Sequence, residues 1–278
     1  MKKGEVALIS GSSGFIGKHL TARLIELGLK VAPIPREFLS SPVDLNGLLN
    51  EYNPDYIFHL ATAGNMYGES KRDEIFTANL VETYFLLSES KDIDYKCFVN
   101  FSTSSVLLPT ETFYSATKAG AERLSRAFAQ QYNKPIVTVR PSSVFGEGEQ
   151  NAHLIPVIID ALKSDKEISL VEEPTHSWIY VDDFIDALIK VVENINKVKG
   201  KEVNISYGKG SYQSNKEIVD VLERVSGKKL KYKKVESLRS YDTKNWSVEN
   251  DILESLGWIP ETGLNAGLAN SYNYDTKQ

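Results

Sequence analysis

The sequence predicts an α/β fold, a doubly wound parallel sheet with a smaller C-terminal α/β lobe, on three observations. Short aliphatic runs alternate with amphipathic helical segments through the first half. Gly11, Gly14 and Gly17 stand directly between the first such run and the first helix, and the alternation loosens after Pro141. A chain of 278 residues, 41 % apolar and 25 % charged, is long enough to bury one core with a lobe built onto it.

The elements follow in order. VALIS at 6–10 opens the sheet, then a helix over 15–28, KVAPI at 30–34, a helix over 44–52 and YIFHL at 56–60. A long helix over 73–90, the strand CFVNFS at 97–102, a helix over 113–132 and the strand IVTVR at 136–140 continue the pattern. Strand, helix, strand repeated in this way means parallel pairing with helices on both faces. Beyond it lie a helix over 154–163, the strand ISLV at 168–171, WIYVDD opening a helix over 182–193, and VNISYG at 203–208. A helix over 214–225, the basic strand KKLKYKK at 228–234 and a last helix over 248–256 complete the chain, with a frayed tail after 270. The expected division is 1–145 for the sheet domain, which also receives segments around 176–206, and 146–278 mainly for the second lobe.

Composition narrows the partners. Thirty-two Lys and Arg against thirty-seven Asp and Glu give a net charge of -5 with no long single-sign run, so no electrostatic grip on nucleic acid is expected. No apolar stretch reaches a membrane span, and the amino end lacks a signal-peptide pattern, so the chain reads as unprocessed and cytoplasmic. One cysteine, Cys97, excludes an internal disulfide and a cysteine zinc cluster, and no metal cage is visible. The expected partner is a small molecule.

The loop GSSGFIG places glycine where a backbone turns tightly, approaches a diphosphate and packs helix on strand, the setting of a Rossmann-type dinucleotide site. Its spacing differs from GxGxxG, and plain turns also want glycine. After the second strand, PIPREF offers Arg36 and no acid before Glu37, which favours NADP(H), with NAD(H) as the alternative and a solvated surface arginine as the bland one. Asp44 can take an adenine amine or cap the following helix. Tyr114 and Lys118 lie one helical turn apart, so both project from one face, and an ammonium near a phenol makes it a better acid. Thr103, just past a strand on the same sheet edge, places a hydroxyl where it could polarise the same carbonyl oxygen.

At these residues the chain resembles an extended short-chain dehydrogenase/reductase, the family of nucleotide-sugar epimerases, dehydratases and 4-ketoreductases. GSSGFIG resembles the cofactor loop, Asp44-Leu45 the adenine contact, HLAT at 59–62 the family's fourth-strand motif, and Thr103, Tyr114 and Lys118 the catalytic triad. RPSSVFGEG at 140–148, HSWIYVDD at 176–183, NISYGKG and LGWIP resemble later family segments. The resemblance implies cofactor contacts at Gly11, Ser13, Gly14, Phe15, Ile16 and Gly17, at Leu45, Leu60, Ala61 and Thr62, and at Tyr114, Lys118, Pro141 and Ser143. It implies a nucleotide sugar held by Ser104, Ser142, His153 and His176, and a homodimer paired through the tyrosine-bearing helix and its neighbour.

Departures from the family pattern point to the reaction. Ser104 and Ser105 stand where dehydratases carry Asp and Glu, so the acid and base for water elimination are missing. Ten residues separate Thr103 from Tyr114, a short loop that resembles the 4-ketoreductases of deoxysugar biosynthesis, notably the paratose-synthase-like enzymes. The expected reaction is NADPH-dependent reduction of a nucleotide-linked 4-keto-6-deoxy sugar, with an NAD-dependent 4-epimerase as the first rival and a non-catalytic relative as the second. His176 stands where an arginine often holds the diphosphate, and Ser143 where an asparagine sits, so each detail stays open between ligand and polar loop residue. His59, Trp178, Tyr180 and Phe184 read as core, and Lys228 to Lys234 as a charged, solvated edge strand.

Overall fold

The computed structural model describes residues 1–64, 71–237, 244–246 and 248–274. The chain divides into two compact units, 1–140 with 188–203, and 141–187 with 204–278. The segment that rejoins the first unit is thus 188–203 rather than all of 176–206, and Pro141 to Phe145 lie in the second unit. Among the described residues no helix is long and apolar enough to cross a membrane.

The first unit follows strand and helix in turn: β1 (Val6–Ser10), α1 (Phe15–Glu26), β2 (Lys30–Ile34), α2 (Pro42–Tyr52) and β3 (Tyr56–His59). Then come α3 (Arg72–Phe76), α4 (Glu82–Ser90), β4 (Cys97–Phe101), α5 (Phe113–Gln131) and β5 (Ile136–Pro141). Two departures from the sequence reading matter. PREF folds into a 3-10 turn over Arg36–Ser40, and the helix expected over 73–90 is interrupted by a π-helical turn, Thr77–Val81, that joins α3 to α4. α2 begins at Pro42 rather than 44 because proline suits the first helical turn, and Ser41, not Asp44, caps it by accepting from the Asp44 amide.

In the second unit β6 (Ser143–Phe145), α6 (Leu154–Ser164), β7 (Glu167–Leu170) and β8 (Thr175–Tyr180) lead into α7 (Val181–Glu193), which crosses the unit boundary. α8 (Ile195–Val198) and β9 (Glu202–Ile205) follow, then β10 (Tyr212–Ser214), α9 (Asn215–Ser226), β11 (Lys231–Lys234), β12 (Asn245–Trp246), α10 (Asp251–Ser255) and α11 (Leu264–Asn273). α11 had no counterpart in the sequence reading, which expected fraying from 270; Leu268 is fully buried, so the segment packs rather than frays. The expected helix over 248–256 shrinks to α10, while residues 275–278 lie outside those described.

The main sheet has the order β2-β1-β3-β4-β5-β9, with the pairs from β2 to β5 all parallel. The order in which strands are added reverses at β1, since β2 lies on one side of it and β3 on the other. That reversal opens a crevice beyond the carboxyl ends of β1 and β3, the place where such sheets take ligands. The strands are buried on both faces: Leu8, Ile57 and Phe98 are inaccessible to solvent and pack with Leu45, Leu49 and Leu86 of α2 and α4. β8 forms the centre of a smaller sheet, pairing with β6, β10 and β12, and β7 pairs with β11. The basic run is a strand only from Lys231. Its charges are matched as well as solvated, Lys233 to Glu167 at 3.0 Å and Lys234 to Glu172 at 2.8 Å. Trp178, Tyr180 and Phe184 are buried.

Candidate active site

The glycine loop is built for close approach. Gly11 has φ +73°, and a Cβ there would stand 2.9 Å from the Ala61 amide nitrogen, so the turn after β1 is pressed on the segment after β3. At Gly17 a Cβ would lie 2.2 Å from the Gly11 carbonyl oxygen, which lets α1 pack directly on the loop. Gly14 caps α1 with no side-chain acceptor, and the first turn carries no acid of its own to compete for its amide donors. Such a helix end fits the pyrophosphate of a dinucleotide. Ser13 is exposed beside it, and Phe15 and Ile16 start the helix, Phe15 edge-on to His19.

Tyr114 sits in the first turn of α5, fixed by a reciprocal cap just before it. Thr112 Oγ1 accepts from the Ser115 amide at 3.1 Å, and Ser115 Oγ accepts from the Thr112 amide at 2.8 Å. The Tyr114 phenol lies beside the side chains of Thr62 and Thr103, near enough for both to act on its acidity. Burial raises its pKa above the ordinary value, and the two threonines partly offset the rise. Lys118 lies one turn on, almost wholly buried; burial brings its ammonium down to about 8, against an opposing pull from Glu122. Thr103 caps the 3-10 turn Ser104–Leu107: its Oγ1 accepts from the Ser105 amide at 3.1 Å and donates to Ser105 Oγ at 3.0 Å. The structure therefore brings Thr62, Thr103 and Tyr114 together at the carboxyl edge of the sheet, with Ser104 and Ser105 in the adjoining turn.

The residue that organises this edge was not singled out from sequence. Asn79, inaccessible to solvent in the π-helical turn, accepts from Thr62 Oγ1 at 2.9 Å and from the Ala63 amide at 3.0 Å. Its Nδ2 donates to the Ala63 carbonyl at 2.9 Å and to Thr117 Oγ1 at 3.1 Å. One amide thus ties the segment after β3 to α5 on the turn above Tyr114. Nothing in the local pattern marks Asn79, because its partners are distant in sequence. Glu122 could have been found from its position four residues beyond Lys118.

His59 is a hydrogen-bonded core histidine. Thr83 Oγ1 donates to the Asn79 carbonyl at 2.8 Å, so His59 Nε2 donates to Thr83 Oγ1 at 3.0 Å. Nδ1 is then left to accept from Ser10 Oγ at 2.7 Å. Burial first, then the charges of Lys118 and Arg36, hold the imidazole neutral, its pKa lowered to about 3. Arg36 starts the 3-10 turn after β2, half exposed, 3.8 Å from Glu82 Oε2. Asp44 and Leu45 lie in the first turns of α2, Leu45 in the core. Leu60 donates its amide to the Ser10 carbonyl, and Ala61 to Ser10 Oγ at 3.2 Å, so both help hold the segment after β3 to β1.

In the second unit Ser142 donates its amide to the Ile205 carbonyl, just after Pro141 ends β5. Ser143 and His176 meet, Oγ to Nδ1 at 3.4 Å, and His176 stacks on Trp246 with ring centroids 5.6 Å apart. His153 caps α6 in position and pairs through Nδ1 with the buried Glu149 at 2.9 Å.

Residues 7–206 match the NAD dependent epimerase/dehydratase family. The chain belongs to that family. Its members bind nicotinamide dinucleotides, and the glycine loop of this epimerase/dehydratase chain accords with that. CDP-abequose synthase of Salmonella typhimurium is 26 % identical over 296 residues, covering 95 % of this chain and 96 % of the relative. A trifunctional UDP-glucose 4,6-dehydratase/UDP-4-keto-6-deoxy-D-glucose 3,5-epimerase/UDP-4-keto-L-rhamnose-reductase of Arabidopsis thaliana is 26 % identical over 99 % of this chain. The match takes in 48 % of that protein, so the chain spans about half its length. UDP-glucuronic acid 4-epimerase from Bacillus cereus, solved with UDP-glucuronic acid and NAD, superposes with a TM-score of 0.85 at 24 % identity, over 97 % of this chain and 98 % of that one. That likeness establishes the shared fold.

Proposed function

We propose that this family member reduces a nucleotide-linked 4-keto-6-deoxy sugar at C4, with NADPH favoured as reductant. The observation that carries the reading is the set of groups around Tyr114: a phenol flanked by Thr62 and Thr103, a buried lysine one turn on, and serines rather than carboxylates at 104 and 105. When bound, the nicotinamide supplies the hydride that C4 gains. Tyr114 donates its phenolic proton to O4 as that oxygen takes up charge, which leaves an alcohol. Lys118, as an ammonium, lowers the cost of the phenolate that Tyr114 becomes. Thr103 and Thr62 flank the phenol and temper the rise that burial gives its pKa. Ser104 and Ser105 offer no carboxyl pair for taking a proton from carbon and returning one to a leaving hydroxyl, so elimination of water finds no acid and base there.

The relatives' names support a nucleotide-linked sugar as substrate, and one of them includes reduction of a 4-keto sugar. Arg36 supports NADPH, since a guanidinium is the group that accommodates a 2'-phosphate. A homodimer through α4 and α5 is supported by aromatic side chains left exposed there, Tyr84 on α4 and Phe113 on α5. The testing experiment is oxidation of NADPH by the purified protein with CDP-, GDP-, dTDP- and UDP-linked 4-keto-6-deoxyhexoses, with NADH alongside. Stoichiometric loss of reduced-nicotinamide absorbance with one substrate is the expected result. A folded protein that copurifies with NAD and consumes no NADPH with any of them would instead be a 4-epimerase.

A further inference from the structure

Arg36 does not stand alone at the adenosine end of the crevice. Glu82, the first residue of α4, has a side chain only 4 % exposed, and its Oε2 lies 3.8 Å from Arg36 Nη2. Ser40, at the far end of the same 3-10 turn, donates its hydroxyl to Glu82 Oε1 at 2.9 Å. Oε2 itself accepts no hydrogen bond. The carboxylate is therefore anchored from one side, and its remaining oxygen is directed toward the guanidinium as a charge.

Two opposite effects of such a carboxylate have to be weighed. It could clamp Arg36 in the direction a 2'-phosphate needs, or it could cancel the charge that would attract one. A clamp requires the fork hydrogen bonds by which carboxylates orient arginine. Here the approach is 3.8 Å without a hydrogen bond and the Arg36 side chain is 51 % exposed, so orientation gains little. The charge effect remains, because a buried carboxylate is poorly screened. Arg36 and Glu82 sum to zero at the place where a 2'-phosphate brings about two negative charges, while the 2'-hydroxyl of NAD brings none.

We propose that Glu82 is a specificity-determining residue that offsets the charge of Arg36 and so holds the preference for NADPH over NADH to within about tenfold. The proposal rests on the part of the functional reading that puts a nicotinamide dinucleotide in this crevice, and deepens it by naming a residue remote from the glycine loop. It does not depend on which sugar is reduced.

The test is calorimetric binding of NADPH and NADH, without sugar, to the full-length wild-type protein and to Glu82→Gln, which keeps an acceptor for Ser40 while removing the charge. Wild type is expected to bind the two cofactors within about tenfold of each other, and Glu82→Gln to tighten NADPH about tenfold with NADH unchanged within about twofold. An NADPH-to-NADH preference that stays level or falls in Glu82→Gln overturns the proposal. Should that variant fail to fold, wild type decides: a preference for NADPH beyond about a hundredfold overturns it and one within about tenfold supports it. A protein that binds both cofactors in this pattern yet reduces no 4-keto sugar defeats the proposed reaction and leaves this inference standing.

Discussion

Arg140 grips Glu122 with two parallel hydrogen bonds, Nε donating to Oε1 at 2.7 Å and Nη2 to Oε2 at 2.6 Å. Both partners are largely buried, and Glu122 stands one helical turn beyond Lys118 on α5. The strand β5 therefore fixes the carboxylate whose charge acts on the lysine proposed to assist Tyr114. Burial favours loss of the Lys118 proton and Glu122 opposes it, leaving the ammonium at about 8. The proposed role needs the ammonium, so turnover should fall as pH rises through about 8. In Glu122→Gln the opposing charge is gone, and the alkaline limb of the kcat/KM profile should move to lower pH. Losing one partner of the ion pair should also lower stability by about 3 kcal/mol. A profile whose alkaline limb stays in place would separate Glu122 from Lys118 function.

Tyr114→Phe removes the proton and keeps the ring. The expected fall in turnover is about 10²- to 10⁴-fold, while cofactor affinity measured by calorimetry changes little. Unaltered turnover would remove Tyr114 from the chemistry.

Asn79 supplies a prediction that turns on placement rather than on proton transfer. Its amide makes four hydrogen bonds, three of them fully buried and the one from Thr62 partly so. Asn79→Leu keeps the approximate size and strands the Ala63 amide and carbonyl, so chemical denaturation should show a loss of about 2–4 kcal/mol. Thr62 also loses its acceptor, and it is one of the two threonines that flank the Tyr114 phenol. kcat should therefore drop in protein that remains folded, and a variant with full kcat would show that Thr62 needs no anchor.

These residues also mark how far the sequence could be read. The parallel order from β1 to β5 was legible because aliphatic strands alternate with helices at short spacing. Tyr114, Lys118 and the glycine loop were legible because their function is written in local spacing, four residues on one helix face or a glycine at a forced turn. Asn79 and Glu82 were not. Each is a polar residue inside a helix whose meaning comes from partners 16 to 46 positions away, Ala63 for one and Arg36 for the other. The same limit hid the sheet around β8, whose strands β10 and β12 are three and two residues long and carry no period of their own. α11 went unread because its small and polar residues mask the buried face built on Leu268.

At the opposite edge of the sheet, acid stability should centre on Glu5. Lys96 Nζ lies 2.6 Å from Glu5 Oε1 and 2.7 Å from Asp55 Oδ1, and Tyr56 donates its hydroxyl to Glu5 Oε2 at 2.9 Å. Burial by itself would raise the Glu5 pKa, but the hydrogen bonds from Lys96, the Lys2 amide and Tyr56 outweigh it and bring the carboxyl from 4.5 to about 2. A carboxyl depressed in the folded state adds stability above its unfolded value. That contribution is complete above pH 4.5 and is lost as pH falls toward about 2. With Lys96 half exposed, screening reduces it to the order of 2 kcal/mol. Lys96→Met should flatten the dependence of unfolding free energy on pH within this window and leave its slope above pH 6 unchanged. An equal slope in both proteins below pH 4.5 would place the acid sensitivity elsewhere.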